Sequence, residues 1–339
     1  MSSSPAAKPT PERIFTTLFA YQETYALKAA IEVDLFTSIG EGANDPELIA
    51  KRLNIPSRAA RILADYMATH GFLTKENGKY ALVPESAAFL DRRSPAYMGS
   101  MAGFLAGDMS VKKFSMLADS VRKGGTAWHE GDNTKPMDEQ WINFARSMAP
   151  MAAAMAQVLS QMIPSSPAQP VRILDVAASH GMYGIIPAKN HPNVQVTALD
   201  WPAVLEVAKE NAKAAGVSDR YSLLAGSAFD ADLGTGFDYV FITNFLHHFD
   251  IPTNKTLLKR FYAALKPGGK AVTVEFVPNA DRISPPMSAR FPLVMLANTD
   301  AGDAYTFAEY EKMFQAAGFR NSVLHPVTSL PQQVIVSEK

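Results

Sequence analysis

The second half of the chain alternates short, continuously apolar segments with amphipathic helical segments, and this alternation restricts the fold more than any other feature. Strands are predicted at residues 171–176, 194–199, 221–224, 239–243, 270–277 and 332–336, and helices at 203–215, 257–265 and 307–317. Strands that are apolar on both faces are typical of a parallel sheet covered by helices on both sides. We therefore predict an α/β fold for this half.

The first half of the chain is predicted to be mainly helical. Asp45 and Pro46 begin one helix as its N-cap and first residue, and a second helix is predicted at 58–70. Two short alternating segments around Asn77-Gly78 predict a β-hairpin. Helix, turn, helix and hairpin form a winged-helix arrangement. Further helices are predicted across 95–165, and the Pro- and Ser-rich segment 164–170 is the clearest linker.

Composition excludes several classes of protein. The chain has no cysteine, which rules out disulfides, thiolate nucleophiles and Cys-ligated metals. A net charge of −1, with eleven basic and eleven acidic residues in positions 1–95, provides no basic face for nucleic acid. The N-terminal segment lacks the apolar core of a secretory signal, and the apolar stretch 148–163 would reach only about 24 Å as a helix. We expect a cytoplasmic protein with no membrane or nucleic-acid partner.

A loop of small residues follows the first strand of the predicted sheet, between Asp175 and Gly181. Small residues there let a ligand approach backbone N–H groups at the carboxyl edge of the sheet. A dinucleotide fingerprint would need glycines where Ala177, Ser179 and Met182 stand, and Asp175 disfavours a phosphate but suits a cation such as an ammonium group. An ordinary tight turn is the alternative interpretation.

Asp200 ends the second predicted strand, 19 residues after Gly181. Its two oxygens can accept both ribose hydroxyls of an adenosine. Because Pro202 follows, the alternative is a helix N-cap.

These motifs resemble those of class I S-adenosylmethionine-dependent methyltransferases over residues 171–278. Residues 14–339 as a whole resemble the small-molecule O-methyltransferase family that includes plant caffeic-acid-type and bacterial hydroxyneurosporene-type enzymes. In that family an Asp-x-Gly-x-Gly-x-Gly loop holds the methionine part of the cofactor. This chain keeps Asp175 and Gly181 and has Ala177 and Ser179 at the earlier glycine positions.

The resemblance implies an organisation and a set of ligands. A disordered N-terminus is expected at 1–13, a winged-helix dimerisation domain at 14–95, a helical connector that lines the acceptor pocket at 96–165, and a Rossmann-like methyltransferase domain at 166–339. It also implies S-adenosylmethionine as the cofactor, a small and largely apolar acceptor, and a homodimer. No metal is expected, because the histidine pair at 247–248 has no other ligand at metal-binding spacing.

The segment after the fourth strand carries the strongest local signal, the histidine pair His247-His248. In the family the equivalent segment is Leu-His-Asp-Trp, and its His is the general base, which corresponds to His247. A histidine suits that role because its pKa lies near 6.5. Glu275, 28 residues later, matches a carboxylate that orients the base. If the segment is extended, His248 would point to the opposite side.

The resemblance extends to further residues. Around the cofactor we expect Trp201, Ser227, Ala228, Phe229 and Thr243. The acceptor pocket is expected to contain two stripes at helical spacing, which core packing would also explain: Trp141, Phe144, Met148, Met151, Phe291, Met295 and Asn298. The family's second flanking Glu is missing, and Asp303 is a candidate substitute. C-methylation, or a non-methylating use of the same fold, remains an alternative. From another class, a ligand-sensing DNA-binding regulator with a decayed methyltransferase domain also remains.

Overall fold

The computed structural model describes residues 9–128, 138–164, 169–328 and 330–339. The chain forms two compact units, one through Gly107 and one from Asp108 onward. Residues 1–8 of the expected disordered N-terminus and residues 165–168 of the expected linker lie outside the described residues. Among the helices of the described ranges, none has the length and apolar character needed to cross a membrane.

The first unit contains a long helix followed by a helical bundle and a hairpin. Its elements are α1 (Glu12–Glu32), α2 (Leu35–Gly40), α3 (Pro46–Leu53), α4 (Ser57–Thr69), β1 (Leu73–Glu76), β2 (Lys79–Leu82), α5 (Pro84–Phe89) and α6 (Ala102–Leu105). Asp45 caps α3 by accepting the N–H of Leu48. Asn77 and Gly78 both have positive φ, which is the backbone that a two-residue hairpin turn requires. The predicted helices after Asp45 and Pro56 and the hairpin around Asn77-Gly78 are confirmed.

The second unit contains a seven-stranded sheet in the order β5-β4-β3-β6-β7-β9-β8. Its strands are β3 (Val171–Val176), β4 (Val194–Asp200), β5 (Tyr221–Ala225), β6 (Phe237–Thr243), β7 (Leu265–Glu275), β8 (Arg320–His325) and β9 (Gln333–Glu338). The chain leaves β3 toward β4 on one side and later returns to β6 on the other. This reversal makes the carboxyl edge of β3 and β6 the expected ligand site of an open α/β sheet.

Helices cover both faces of this sheet. The helices are α7 (Asp108–Ser115), α8 (Leu117–Lys123), α9 (Asp138–Gln161), α10 (Met182–Asn190), α11 (Pro202–Ala214), α12 (Ile251–Ala264), α13 (Pro286–Asn298) and α14 (Phe307–Ala316). Alternate residues along each strand enter one of two cores. One core joins the sheet to α9, α10 and α11, and the other joins it to α12 and α14. The predicted Rossmann-like α/β fold is confirmed.

The sheet differs from the prediction at one edge. β9 runs antiparallel to both β7 and β8, whereas the sequence predicts a parallel sheet. β8 was not predicted, because its residues alternate between exposed and half-buried and lack the apolar character of the inner strands. An antiparallel edge on a parallel sheet leaves the carboxyl edge at β3, β4, β6 and β7 intact.

Candidate functional site

The loop after β3 turns through three residues with positive φ. Ala177, Ser179 and Gly181 have φ values of 53°, 52° and 76°. A side chain at Gly181 would place its Cβ 2.6 Å from the hydroxyl of Tyr221, so this position requires glycine. The two non-glycine residues adopt a conformation that glycine adopts more easily. The tight turn therefore forms despite the missing glycines.

Two carboxyl groups lie beside this loop. Oδ2 of Asp200 accepts the N–H of Ser179 at 2.7 Å, and Oδ1 accepts the N–H of Trp201 at 2.7 Å. Asp175 is fully buried, and within the described ranges neither of its oxygens has a hydrogen-bond partner. Burial, and then the charge of Asp200, raise the pKa of Asp175 well above its usual range. Burial also raises the pKa of Asp200 to about 6, although the N–H groups of Ser179 and Trp201 act to lower it.

This arrangement fits a cationic nucleoside ligand. A buried carboxyl group without a partner is uncommon and indicates a bound water or ligand. A carboxylate has about four acceptor positions, so Asp200 retains capacity for hydroxyl donors after binding two N–H groups. The remaining cofactor candidates are near the same edge, with Thr243 buried as the last residue of β6.

The candidates after β5 have more local roles. The N–H of Gly226 donates to the carbonyl of Asp200, which joins this loop to the end of β4. The Ser227 hydroxyl accepts the N–H of Phe229. Ala228 is buried in the core, and Phe229 is exposed, with its edge against Phe249 at 5.3 Å between ring centroids. Trp201 packs in a small cluster with Trp141 of α9.

His247 and Glu275 form a buried pair at the ends of β6 and β7. Nδ1 of His247 lies 2.6 Å from Oε2 of Glu275. The other oxygen, Oε1, accepts the N–H groups of Phe245, Leu246 and His247 at 3.0, 2.8 and 3.4 Å. Because the carboxylate can only accept, Nδ1 of His247 carries the hydrogen. Nε2 is then the acceptor nitrogen of the imidazole.

The expectation for His248 is wrong. The segment Leu246–His248 is a short 3₁₀ helix rather than an extended strand end. The rings of His247 and His248 therefore lie on the same side, 4.4 Å apart between centroids and tilted by 50°. Alternation holds for strands but not for helical turns.

Aromatic side chains contact each of the two histidines. Phe291 of α13 approaches His247 edge-on, with 4.8 Å between the ring centroids. Phe276 stacks on Phe291, with 3.8 Å between their ring centroids. On the other side, Trp141 meets His248 edge-on at 5.8 Å. Phe276 was not predicted, although its position next to Glu275 could have indicated it.

The other predicted acceptor residues lie on the same two helices. On α9, the ring of Phe144 lies edge-on to that of Trp141, with 5.6 Å between the centroids. The same helix continues through Met148 and Met151. On α13, Met295 is buried, and the Asn298 amide donates to the carbonyl of Val294 within its own helix.

Asp303 lies close to the base through its backbone. Its N–H donates to the carbonyl of His247 at 3.0 Å. Its carboxylate accepts the N–H of Ala304 and lies 3.6 Å from Arg282. None of these interactions involves the imidazole of His247, so the role of Asp303 as a second flanking acid stays a prediction.

Comparisons with known proteins identify the family of the chain. The family model for the O-methyltransferase domain matches residues 114–320. A crystal structure from Nostoc punctiforme PCC 73102, provisionally named as an O-methyltransferase, is 44% identical, covers 98% of this chain and 100% of its own, and has a TM-score of 0.92.

Two curated relatives extend the comparison. A 3-hydroxy-5-methyl-1-naphthoate 3-O-methyltransferase from Streptomyces sahachiroi is 28% identical, with 94% of this chain and 92% of the relative covered. An L-tyrosine C(3)-methyltransferase from Streptomyces lavendulae is 24% identical, with 95% and 91% covered. The chain belongs to the S-adenosylmethionine-dependent O-methyltransferase family that its motifs resemble.

Proposed function

We propose that this protein transfers a methyl group from S-adenosylmethionine to a hydroxyl group of a small, largely apolar aromatic acceptor, with His247 as the general base. The buried hydrogen bond of 2.6 Å between His247 and Glu275 carries this proposal. It fixes the tautomer that leaves Nε2 able to take a proton, and it stabilises the imidazolium that forms.

The cofactor site would be formed by Asp175, Asp200 and the loop from Ala177 to Gly181. The unpaired carboxyl group of Asp175 suits the positive end of the ligand, and Asp200 suits its ribose hydroxyls. When bound, S-adenosylmethionine supplies an electrophilic methyl group whose bonding electron pair stays on sulfur as the acceptor oxygen takes the methyl.

The chain's own residues perform the proton chemistry. His247 Nε2 takes the hydroxyl proton while Nδ1–H remains bound to Glu275. Glu275 cannot rotate freely, because Oε1 is held by three backbone N–H groups. A base positioned in this way typically contributes about 10²–10⁴-fold to the rate.

The rings around the base favour a flat acceptor. Phe276 and Phe291 are stacked, and Phe291 and Trp141 each touch one of the two histidines. Aromatic side chains bind aromatic ligands through offset or edge contacts. The curated 3-hydroxy-5-methyl-1-naphthoate methyltransferase, by its name, acts on such a molecule.

C-methylation is the second candidate, because a relative of similar length is named as an L-tyrosine C(3)-methyltransferase. Removal of a phenolic proton activates the neighbouring ring carbons as well as the oxygen, so His247 would serve either reaction. The position of the new methyl group distinguishes the two.

We also propose that the chain forms a homodimer through its first unit. Residues 9–25 are all exposed, although α1 carries large apolar side chains there, among them Ile14, Phe15, Leu18 and Phe19 at 62%, 52%, 65% and 55% exposure. A helix with apolar side chains exposed on this scale needs a partner surface. A second copy of the chain is the occupant that the family resemblance implies.

The test of the enzymatic proposal uses the full chain, methyl-labelled S-adenosylmethionine and a panel of phenols, naphthols and hydroxyanthraquinones. We expect label on an acceptor oxygen, identified by NMR of the product. Label on carbon would favour the second candidate. A protein that binds neither S-adenosylmethionine nor S-adenosylhomocysteine would refute both.

A further inference from the structure

His248 lies beside the proposed base without a part in the mechanism above. Its Nδ1 is completely enclosed and has no hydrogen-bond partner within the described ranges, whereas the residue as a whole stays partly accessible. Since Trp141 and His247 flank the ring, the accessible part of His248 belongs to the same ring-lined region as the base.

The protonation of His248 follows from its surroundings. Burial, then the neighbouring His247 and the buried Lys113, lower the pKa of His248 well below its usual value. The imidazole is therefore neutral near pH 7 and carries one N–H. A buried N–H without an acceptor is rarer in proteins than a buried acceptor without a donor. The hydrogen therefore belongs on Nε2, and Nδ1 is the enclosed, unprotonated nitrogen.

The two histidines consequently have opposite tautomers. His247 donates through Nδ1 to Glu275 and accepts through Nε2. His248 donates through Nε2. With ring centroids 4.4 Å apart, the pair offers one hydrogen-bond acceptor and one donor to groups on the same small molecule.

We propose, on the basis of the function above, that the acceptor carries its reactive hydroxyl ortho or peri to a carbonyl or carboxylate oxygen, which binds the Nε2–H of His248. The hydroxyl proton goes to Nε2 of His247, the hydroxyl oxygen gains the methyl group, and His248 keeps its proton. His248 is thus a specificity-determining residue.

This pairing also serves the chemistry. A hydroxyl next to a carbonyl oxygen is held in an internal hydrogen bond, which withholds its proton from a base. A donor that binds the carbonyl oxygen competes with that internal bond and releases the proton toward His247.

Binding of matched isomers tests the proposal without requiring turnover. Calorimetry of the full chain with S-adenosylhomocysteine would compare 3-hydroxy-2-naphthoate with 6-hydroxy-2-naphthoate, and 1-hydroxyanthraquinone with 2-hydroxyanthraquinone. We expect the first member of each pair to bind about tenfold more tightly, the scale of one desolvated hydrogen bond. His248→Phe should abolish this preference, and His248→Gln, which keeps an N–H donor, should retain part of it.

Equal affinity within both pairs, or no binding by any ortho or peri isomer, would overturn the proposal. So would a preference that survives in His248→Phe. Nitrogen-15 NMR of labelled histidines gives an independent check, with His248→Gln identifying the signal among seven histidines. Hydrogen on Nδ1 of His248 would contradict the argument. A preference for ortho isomers without any methyl transfer would reject the proposed function and leave only the hydrogen-bond role of His248 in ligand binding standing.

Discussion

Glu275 binds His247 through one carboxylate oxygen and the backbone of residues 245–247 through the other. The same side chain thus orients the imidazole and shapes the turn on which it stands. A change at Glu275 therefore affects the position of the imidazole as well as its protonation, whereas a change at His247 removes the proton acceptor itself.

The first prediction separates these two roles. His247→Gln should lower kcat by about 10²–10⁴-fold, because glutamine keeps hydrogen bonding but cannot take a proton. Glu275→Gln should also lower kcat, because its amide NH2 would face Nδ1 of His247 and favour the tautomer with hydrogen on Nε2, which cannot take the hydroxyl proton. Steady-state kinetics on an authentic acceptor, with S-adenosylhomocysteine affinity as the control for folding, would measure both. Near-wild-type turnover in His247→Gln would show that no base is needed there.

The second prediction concerns the cofactor. S-adenosylhomocysteine should stabilise the wild-type chain by about 2.7 kcal/mol at a hundredfold excess over its Kd. Asp200→Ala should remove most of this stabilisation, because the carboxylate that would hold the ribose is lost. Asp230→Ala is the matched control, since Asp230 is an exposed carboxylate on the loop after β5. Thermal unfolding with and without ligand measures the effect, and an equal shift in the wild type and Asp200→Ala would place the ribose elsewhere.

The third prediction follows from His180, which is 4% exposed within the loop after β3. Burial lowers the pKa of His180 to about 4, and its Nδ1 accepts the N–H of Met182. Between pH 6.5 and 4 the unfolded chain binds a proton that the folded chain does not, so this residue makes stability fall as the pH falls. The loss should total about 3 kcal/mol.

His180→Asn keeps an acceptor for Met182 and does not titrate. The free energy of unfolding would be measured for both proteins by denaturant titration at several pH values. The value for the variant should rise relative to that of the wild type as the pH falls from about 6.5 to about 4. Parallel pH dependences of the two proteins would contradict the prediction, because they would show that His180 takes up its proton over the same pH range in the folded and unfolded chains.

The fourth prediction concerns association through α1. Leu18→Glu places a charge on a side chain that is 65% exposed and should convert a dimer into a monomer at micromolar concentration. Val323→Glu, on β8 at 50% exposure, is the control and should leave the mass unchanged. Light scattering measures the molar mass of both variants and of the wild type. A monomeric wild-type protein would refute the proposed dimer.

The sequence predicts most of the second unit, because buried parallel strands are continuously apolar and their loops carry the polar residues of the site. His247 and Glu275, 28 residues apart in sequence, were predicted as partners, and the structure brings them together. The side on which His248 lies was not predictable from strand alternation, since the 3₁₀ turn depends on the backbone bonds to Glu275. The edge strand β8 was missed because its half-exposed residues have no strong apolar pattern, and β9, predicted as a strand at 332–336, runs antiparallel rather than parallel.

The pairing of β6 with β7 sets the position of the Glu275 carboxylate. Thr243 lies opposite Val274 in the parallel ladder, so Glu275 projects just beyond the last paired residues, where the turn carrying His247 begins. A slip of one residue between these strands would turn Glu275 to the other face of the sheet. The distance between Glu275 and His247 is thus set by backbone hydrogen bonds in the sheet interior, so a change in the register of two strands would separate two side chains that lie 28 residues apart in sequence.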